Sequence, residues 1–268
     1  MPISSLIYIK PRDWGARIGR YLGSWWAMLH LGAVALVMAM SPSTWHRANR
    51  LTTSAYIYAS TWAVLPWFTL LTALVSLVII RIVLVTAQSY GLSGFALEMM
   101  VRVLVLELIP LSAAMFAALR AGMAFDAGAM GLAARGVAPG DAAEATLRRV
   151  RRDLVPQVIA NAFSVLSLAM VSSVIVLVLA YLNVYGISPW GLGDYTRTVG
   201  RVFDPTVTLG FVFKTVLFGL AVAVIPSAAI LDMLRHRRRH RSNVQPGALR
   251  LLFVLLMIEA SSLAVKYI

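Results

Sequence analysis

The sequence has no cysteine and few charges. Lack of cysteine excludes disulfides, thiolate metal sites and cysteine nucleophiles, and leaves the redox compartment open. Charged residues make up 13% of the 268 and hydrophobic ones 60%, whereas a soluble domain carries about 25% charged residues. This is the composition of an integral membrane protein. Acids are the scarcer sign, with 11 Asp and Glu against 24 Lys and Arg. They are too scattered for the metal cluster a lipid-modifying enzyme would want. The net charge of +13 gathers between apolar segments, a pattern that orients a chain and attracts anionic lipid. Nucleic acid is therefore not an expected partner. No G-x-x-x-x-G-K-[ST] is present, so the chain cannot hydrolyse ATP through a P-loop of its own. No H-E-x-x-H occurs, and His30, His46, His236 and His240 form no convincing metal set. Gly91-Leu92-Ser93-Gly94 lacks the spacing of a nucleophile elbow, and no inverted repeat of the secondary-carrier kind is visible. An enzyme, a metal centre or a cofactor held by this chain is not expected.

What the sequence does have is long apolar runs, each near the roughly 20 residues that crossing a bilayer requires. Five qualify: Trp62 to Ile80 (extended to Val85), Leu97 to Leu119, Val158 to Leu182, Val207 to Leu231 and Leu249 to Ile268. A sixth run, Tyr21 to Met40, carries Trp25, Trp26 and His30 and leads into Pro42, His46, Arg47 and Arg50. It reads as an interfacial or re-entrant helix. No small-residue cleavage site follows it, so it is expected to stay in the mature chain. Arginines are dense from Arg120 to Arg152 and from Arg235 to Arg241, whereas Ala87 to Ala96 has no basic residue. Between the third and fourth runs Asp194 and Asp204 balance Arg197 and Arg201. The positive-inside rule then places both arginine-rich loops in the cytoplasm, with five spans from a cytoplasmic N-terminus. The expected fold is an all-α integral membrane protein: residues 1–50 form a cytoplasmic N-terminus and interfacial helix, and residues 51–268 a five-helix transmembrane domain.

The charges that remain inside the apolar runs are the candidate functional residues. Glu107 lies within the second, and Pro110 three residues later frees a backbone carbonyl one turn back. Glu107 either lines a cavity and orients a head group or makes a helix–helix hydrogen bond. Lys214 and Glu259, at comparable depth in the fourth and fifth runs, suggest an ion pair. Glu98 and Arg102 are spaced for a local i,i+4 pair, and Arg81 is placed to snorkel outward. In the first arginine-rich loop, Asp141 and Glu144 after Pro139-Gly140 fit a capping box. Leu147 and Val150, interleaved with Arg148, Arg149, Arg151 and Arg152, give a short amphipathic helix expected along the membrane face.

These elements, in this order, resemble the MlaE/YrbE family, the permease subunits of Mce-type lipid ABC transporters. Glu107-Leu108-Ile109-Pro110 resembles the family's E-L-G-P, and Arg120-Ala121-Gly122 its R-A-G. Gly131 and Pro156 fall at a later glycine and proline of the family, Lys214, Thr215 and Phe218 resemble K-S-x-x-F, and Glu259 meets an acidic position in the last helix. The chain departs from the pattern at Leu106, where the family usually has arginine, at Ala129-Met130, at Gly136-Val137-Ala138, and at Arg235 to Arg241, which replace a glycine-rich loop. The resemblance implies two permease chains, a homo- or heterodimer, enclosing a lipid-accessible cavity in a bacterial inner membrane. A cytoplasmic ABC ATPase, the subunit that would bind ATP, docks below a coupling region at 123–154 containing Gly131, Asp141, Glu144, Leu147 and Val150, with Arg120 at its edge. An Mce-domain protein sits outside. The cargo implied is phospholipid or another hydrophobic molecule. A different reading makes the chain a non-transporting scaffold that anchors partners in a heteromeric membrane complex.

Overall fold

The computed structural model describes residues 47–120, 139–235 and 247–267, together with isolated positions between 23 and 33. Every regular element among the described residues is a helix. Five helices are long and apolar enough to cross a membrane: Thr53–Ser89, Gly94–Arg120, Ile159–Tyr185, Pro205–Pro226 and Ala248–Val265. Most of the expected interfacial segment, Gly131, and the loop from His236 to Pro246 lie outside the described residues.

Helix α1 covers Arg47–Ile57 and widens into a π-turn at Tyr58–Trp62. It runs across the boundary expected at residue 50. Helix α2, Leu65–Ser89, follows with Pro66 in its first turn, where a missing N–H costs nothing. The first span therefore begins at Thr53, earlier than the apolar run announced, because α1 packs against the third span and needs no uniform apolarity. Gly91 at φ 70° closes the turn that follows, with the Leu92 N–H donating to the Ala87 carbonyl at 2.8 Å.

Helix α3 starts as Ser93–Met100, loosens into a π-helix at Val101–Leu108 and continues as α-helix over 109–120. The loosening has a cause in the sequence. Pro110 has no N–H to give Leu106 and would press its ring on that carbonyl in a regular α-turn. The wider register, with the Ile109 N–H reaching back to the Leu104 carbonyl, relieves the crowding and leaves the Leu106 carbonyl without a donor from Pro110.

Helix α4 is one element of 47 residues, Pro139–Tyr185. Residues 139–154 are thus not a separate helix, and Asp141 lies within the helix and is not its N-cap. Pro139 suits a first helical position, and Pro156 is accommodated within the helix. Beyond Gly186 (φ 67°), a 3₁₀ turn at Pro189–Gly191 leads into α5, Leu192–Val202, a short helix between the third and fourth spans. Helix α6, Pro205–Arg235, and helix α7, Ala248–Tyr267, complete the chain.

Burial separates centre from rim. The most apolar windows of the fourth and second spans are 56% and 50% buried, against 11% for the fifth, so α3 and α6 form the centre and α7 leans on it. Where α6 crosses α4, a Cβ on Gly219 would stand 2.5 Å from the Ala162 Cα. Only glycine permits that approach, the small-residue packing by which membrane helices associate. On α2, Leu70, Leu71, Leu74, Val75, Val78 and Ile82 are exposed, as lipid-facing residues must be.

Candidate functional site

Three helices each contribute one charge to a single point. Lys214 of α6 forms an ion pair with the Glu107 Oε2 of α3 and lies 2.9 Å from the Glu259 Oε2 of α7. Its Nζ also donates to the Leu106 carbonyl at 3.2 Å. That acceptor is the carbonyl which Pro110 leaves without its i+4 donor. The proline thus creates an orphan acceptor, and the lysine satisfies it together with the neighbouring carboxylate. Phe218, one turn along α6, brings its ring centroid to 5.8 Å from Nζ, inside cation–π range. Thr215 is fully buried and donates to the Phe211 carbonyl at 2.7 Å, so it satisfies itself within α6.

Lys214 is 3% exposed, Glu107 14% and Glu259 12%. In such surroundings each charge depends on the others. An unpaired charge at mid-bilayer costs about 2.5–3.5 kcal/mol on insertion scales, and removing one partner of a buried pair costs about 3–5 kcal/mol. The cluster therefore fixes the positions of three helices relative to one another. Two carboxyl groups face one ammonium, so the cluster is also the place in the bundle where a change of charge or contact would release all three at once.

The remaining sequence-derived residues divide. Pro110 is buried beside the cluster. Glu98 and Arg102 meet within α3 at 2.9 Å, and Arg81 is exposed on α2. Arg120 closes α3 and turns its guanidinium to the Ala59 carbonyl in the π-turn after α1. Asp141, Glu144, Leu147 and Val150 lie on the helical backbone of α4, and their side chains fall outside the described residues. Sequence reasoning missed the direct Lys214–Glu107 contact and the polar group of Ser60, Asn161 and Ser164 around Arg120. Ser164 Oγ donates to the Ser60 carbonyl at 3.0 Å. The available signal was the position of Ser60, Asn161 and Ser164 near one end of otherwise apolar spans.

Among known proteins, no curated protein and no solved structure matches the chain. The family described as permease MlaE matches residues 53–262. That range takes in all five spans apart from the last turn, and all three members of the charge cluster. The chain belongs to the MlaE permease family and is a multi-pass membrane permease subunit of a lipid ABC transporter.

Proposed function

We propose that this permease moves phospholipid, or another hydrophobic molecule, between a bacterial inner membrane and an Mce-domain protein. It works as one of two permease chains, with ATP bound and hydrolysed by a separate cytoplasmic ATPase. The observation that supports this most is the Glu107–Lys214–Glu259 cluster, which ties α3, α6 and α7 together inside a span that a transporter must rearrange. A clasp made of charges holds when closed and reopens without breaking a covalent bond, and water or a lipid head group can stabilise its members when they separate.

The continuity of α4 supports the same reading from the other side. A continuous helix that runs from the arginine-rich segment to Tyr185 would carry displacement from one end towards the other. An ATPase pressing on residues 139–154, with Leu147 and Val150 in the contact, would move the face of α4 packed against α6. The test is a reconstituted complex with ATPase and Mce partner, following transfer of a fluorescent phospholipid. Leu147→Asp with Val150→Asp should leave ATP hydrolysis running while transfer falls at least tenfold. Hydrolysis and transfer both at wild-type rates would remove the coupling assignment.

The scaffold reading draws on one observation, the near-complete burial of Lys214, which a purely structural clasp would also show. It requires the complex to assemble and transfer lipid equally well with a Glu107→Ala, Lys214→Ala double variant. The transporting reading requires transfer to fall.

A further inference from the structure

A cavity separate from the charge cluster opens between α1, α3 and α4, at the end of the bundle where the arginine-rich segments begin. Its volume is ≈ 200 Å³, and its lining includes Ser60, Phe116, Arg120, Asn161, Ser164 and Leu168. Depth orders these residues. Arg120 is the last residue of its span and Asn161 stands near the first of its own, so both lie at the boundary. Phe116, one turn back from Arg120, and Leu168, two turns on from Asn161, form an apolar floor towards the membrane centre.

The polar chemistry is one-sided. Among the described residues, no carboxylate lines the cavity. Arg120 directs one guanidinium nitrogen to the Ala59 carbonyl, and a guanidinium carries five N–H donors in all. The Asn161 Nδ2 is buried with no hydrogen-bond partner among the described residues. The Ser164 hydroxyl hydrogen is already committed to the Ser60 carbonyl. A buried amide donor left unmet is costly, and it stands in a cavity with a permanent cation. Such a lining calls for an acceptor-rich anion. The volume is below the about 300 Å³ at which pockets begin to hold drug-sized molecules, so a head group fits and a whole lipid does not.

We propose that this cavity is a phosphate-binding site, in which Arg120 and the Asn161 amide together hold a phosphate group presented at the membrane boundary. The guanidinium fork meets two phosphate oxygens and Asn161 donates to a third lone pair. A phospholipid head group and free inorganic phosphate share this chemistry. Acyl chains entering over Phe116 and Leu168 would distinguish the lipid. Bound there, the phosphate links the π-turn after α1 to α3 and α4 at the end of the bundle that leads into residues 139–154.

The test is native mass spectrometry of the full-length permease released from membranes containing phosphatidylglycerol and a neutral galactolipid. Thermal unfolding with and without inorganic phosphate runs in parallel. The expected result is one tightly retained phosphatidylglycerol per chain and no retained galactolipid, which makes the lipid the source. A phosphate-induced rise in unfolding temperature without lipid retention makes the source free phosphate, and the site stands. Asn161→Asp, which keeps the volume and sets a like charge against the phosphate, should weaken either signal roughly tenfold. Arg120→Lys, which keeps the charge and loses the fork, should weaken it less. Equal retention of both lipids with no phosphate response, or signals unchanged by Asn161→Asp in a variant that unfolds at the wild-type temperature, would overturn the proposal.

Discussion

Lys214 is shared by two acids and a backbone carbonyl, and this sharing sets what single substitutions do. Lys214→Met alone leaves Glu107 and Glu259 facing each other in a buried site with the Leu106 carbonyl unmet. It should cost about 3–5 kcal/mol, read as a lowered unfolding midpoint in detergent. Adding Glu107→Gln and Glu259→Gln should recover most of that loss, since a neutral set of similar shape carries no uncompensated charge. A single variant as stable as wild type would show that the cluster is not charged as a unit. Part of this was legible beforehand. Lys214 and Glu259 stand out because they are isolated charges in apolar runs, and comparable depth suggested that they meet. The Glu107 contact was not legible, because it depends on how α3 rotates through its π-helical stretch. Pro110 signalled an orphan carbonyl but could not name its donor.

At the scale of elements, the crossing of α4 and α6 and the attachment of α5 each make a specific prediction. Gly219→Ala sets a methyl group against the Ala162 backbone. Two long helices must separate to admit it, at about 1–3 kcal/mol, typical of overpacking. Thermal unfolding of the variant should show the loss, and an unchanged midpoint would mean that the helices are not so close. Helix α5 hangs on Tyr195, whose hydroxyl donates to the Leu177 carbonyl at 2.7 Å while its ring meets Tyr181 edge-on at 5.1 Å. Burial, with Tyr185 beside it, raises the Tyr195 hydroxyl to about 12. The raised value means that folding favours the neutral phenol. Its contribution is complete below the ordinary tyrosine value near 10 and is lost as pH climbs from there through about 12. An ultraviolet titration should show a late-ionising component that Tyr195→Phe removes. If all tyrosines ionise together near their ordinary value, α5 does not bury this ring. Helix α5 itself was hidden in the sequence by Gly193 and Gly200, which weaken helix propensity. Its traces were Tyr195, Val199 and Val202 on one face and charges of the right sign at either end. The continuity of α4 was hidden by Pro156 and the arginine run, which together read as a break.

For the whole molecule, five spans were readable because length and apolarity suffice to define them, while boundaries depended on packing that no run of residues displays. Topology is directly testable because the chain contains no cysteine. A cysteine placed at Ile187, which is 94% exposed, should react with an impermeant maleimide added outside the cell. One placed at Arg238 should react only after the membrane is opened. The reverse pattern would invert the bundle and with it the ATPase side. The charge clasp joining α3, α6 and α7 is proposed to take part in the transport cycle as well as in the fold. The most direct measurement is ATP-driven phospholipid transfer by the assembled complex carrying Glu107→Gln, Lys214→Met and Glu259→Gln together. Assembly should be normal and most of the stability kept, with transfer reduced at least tenfold; transfer at the wild-type rate would show that the clasp is structural alone.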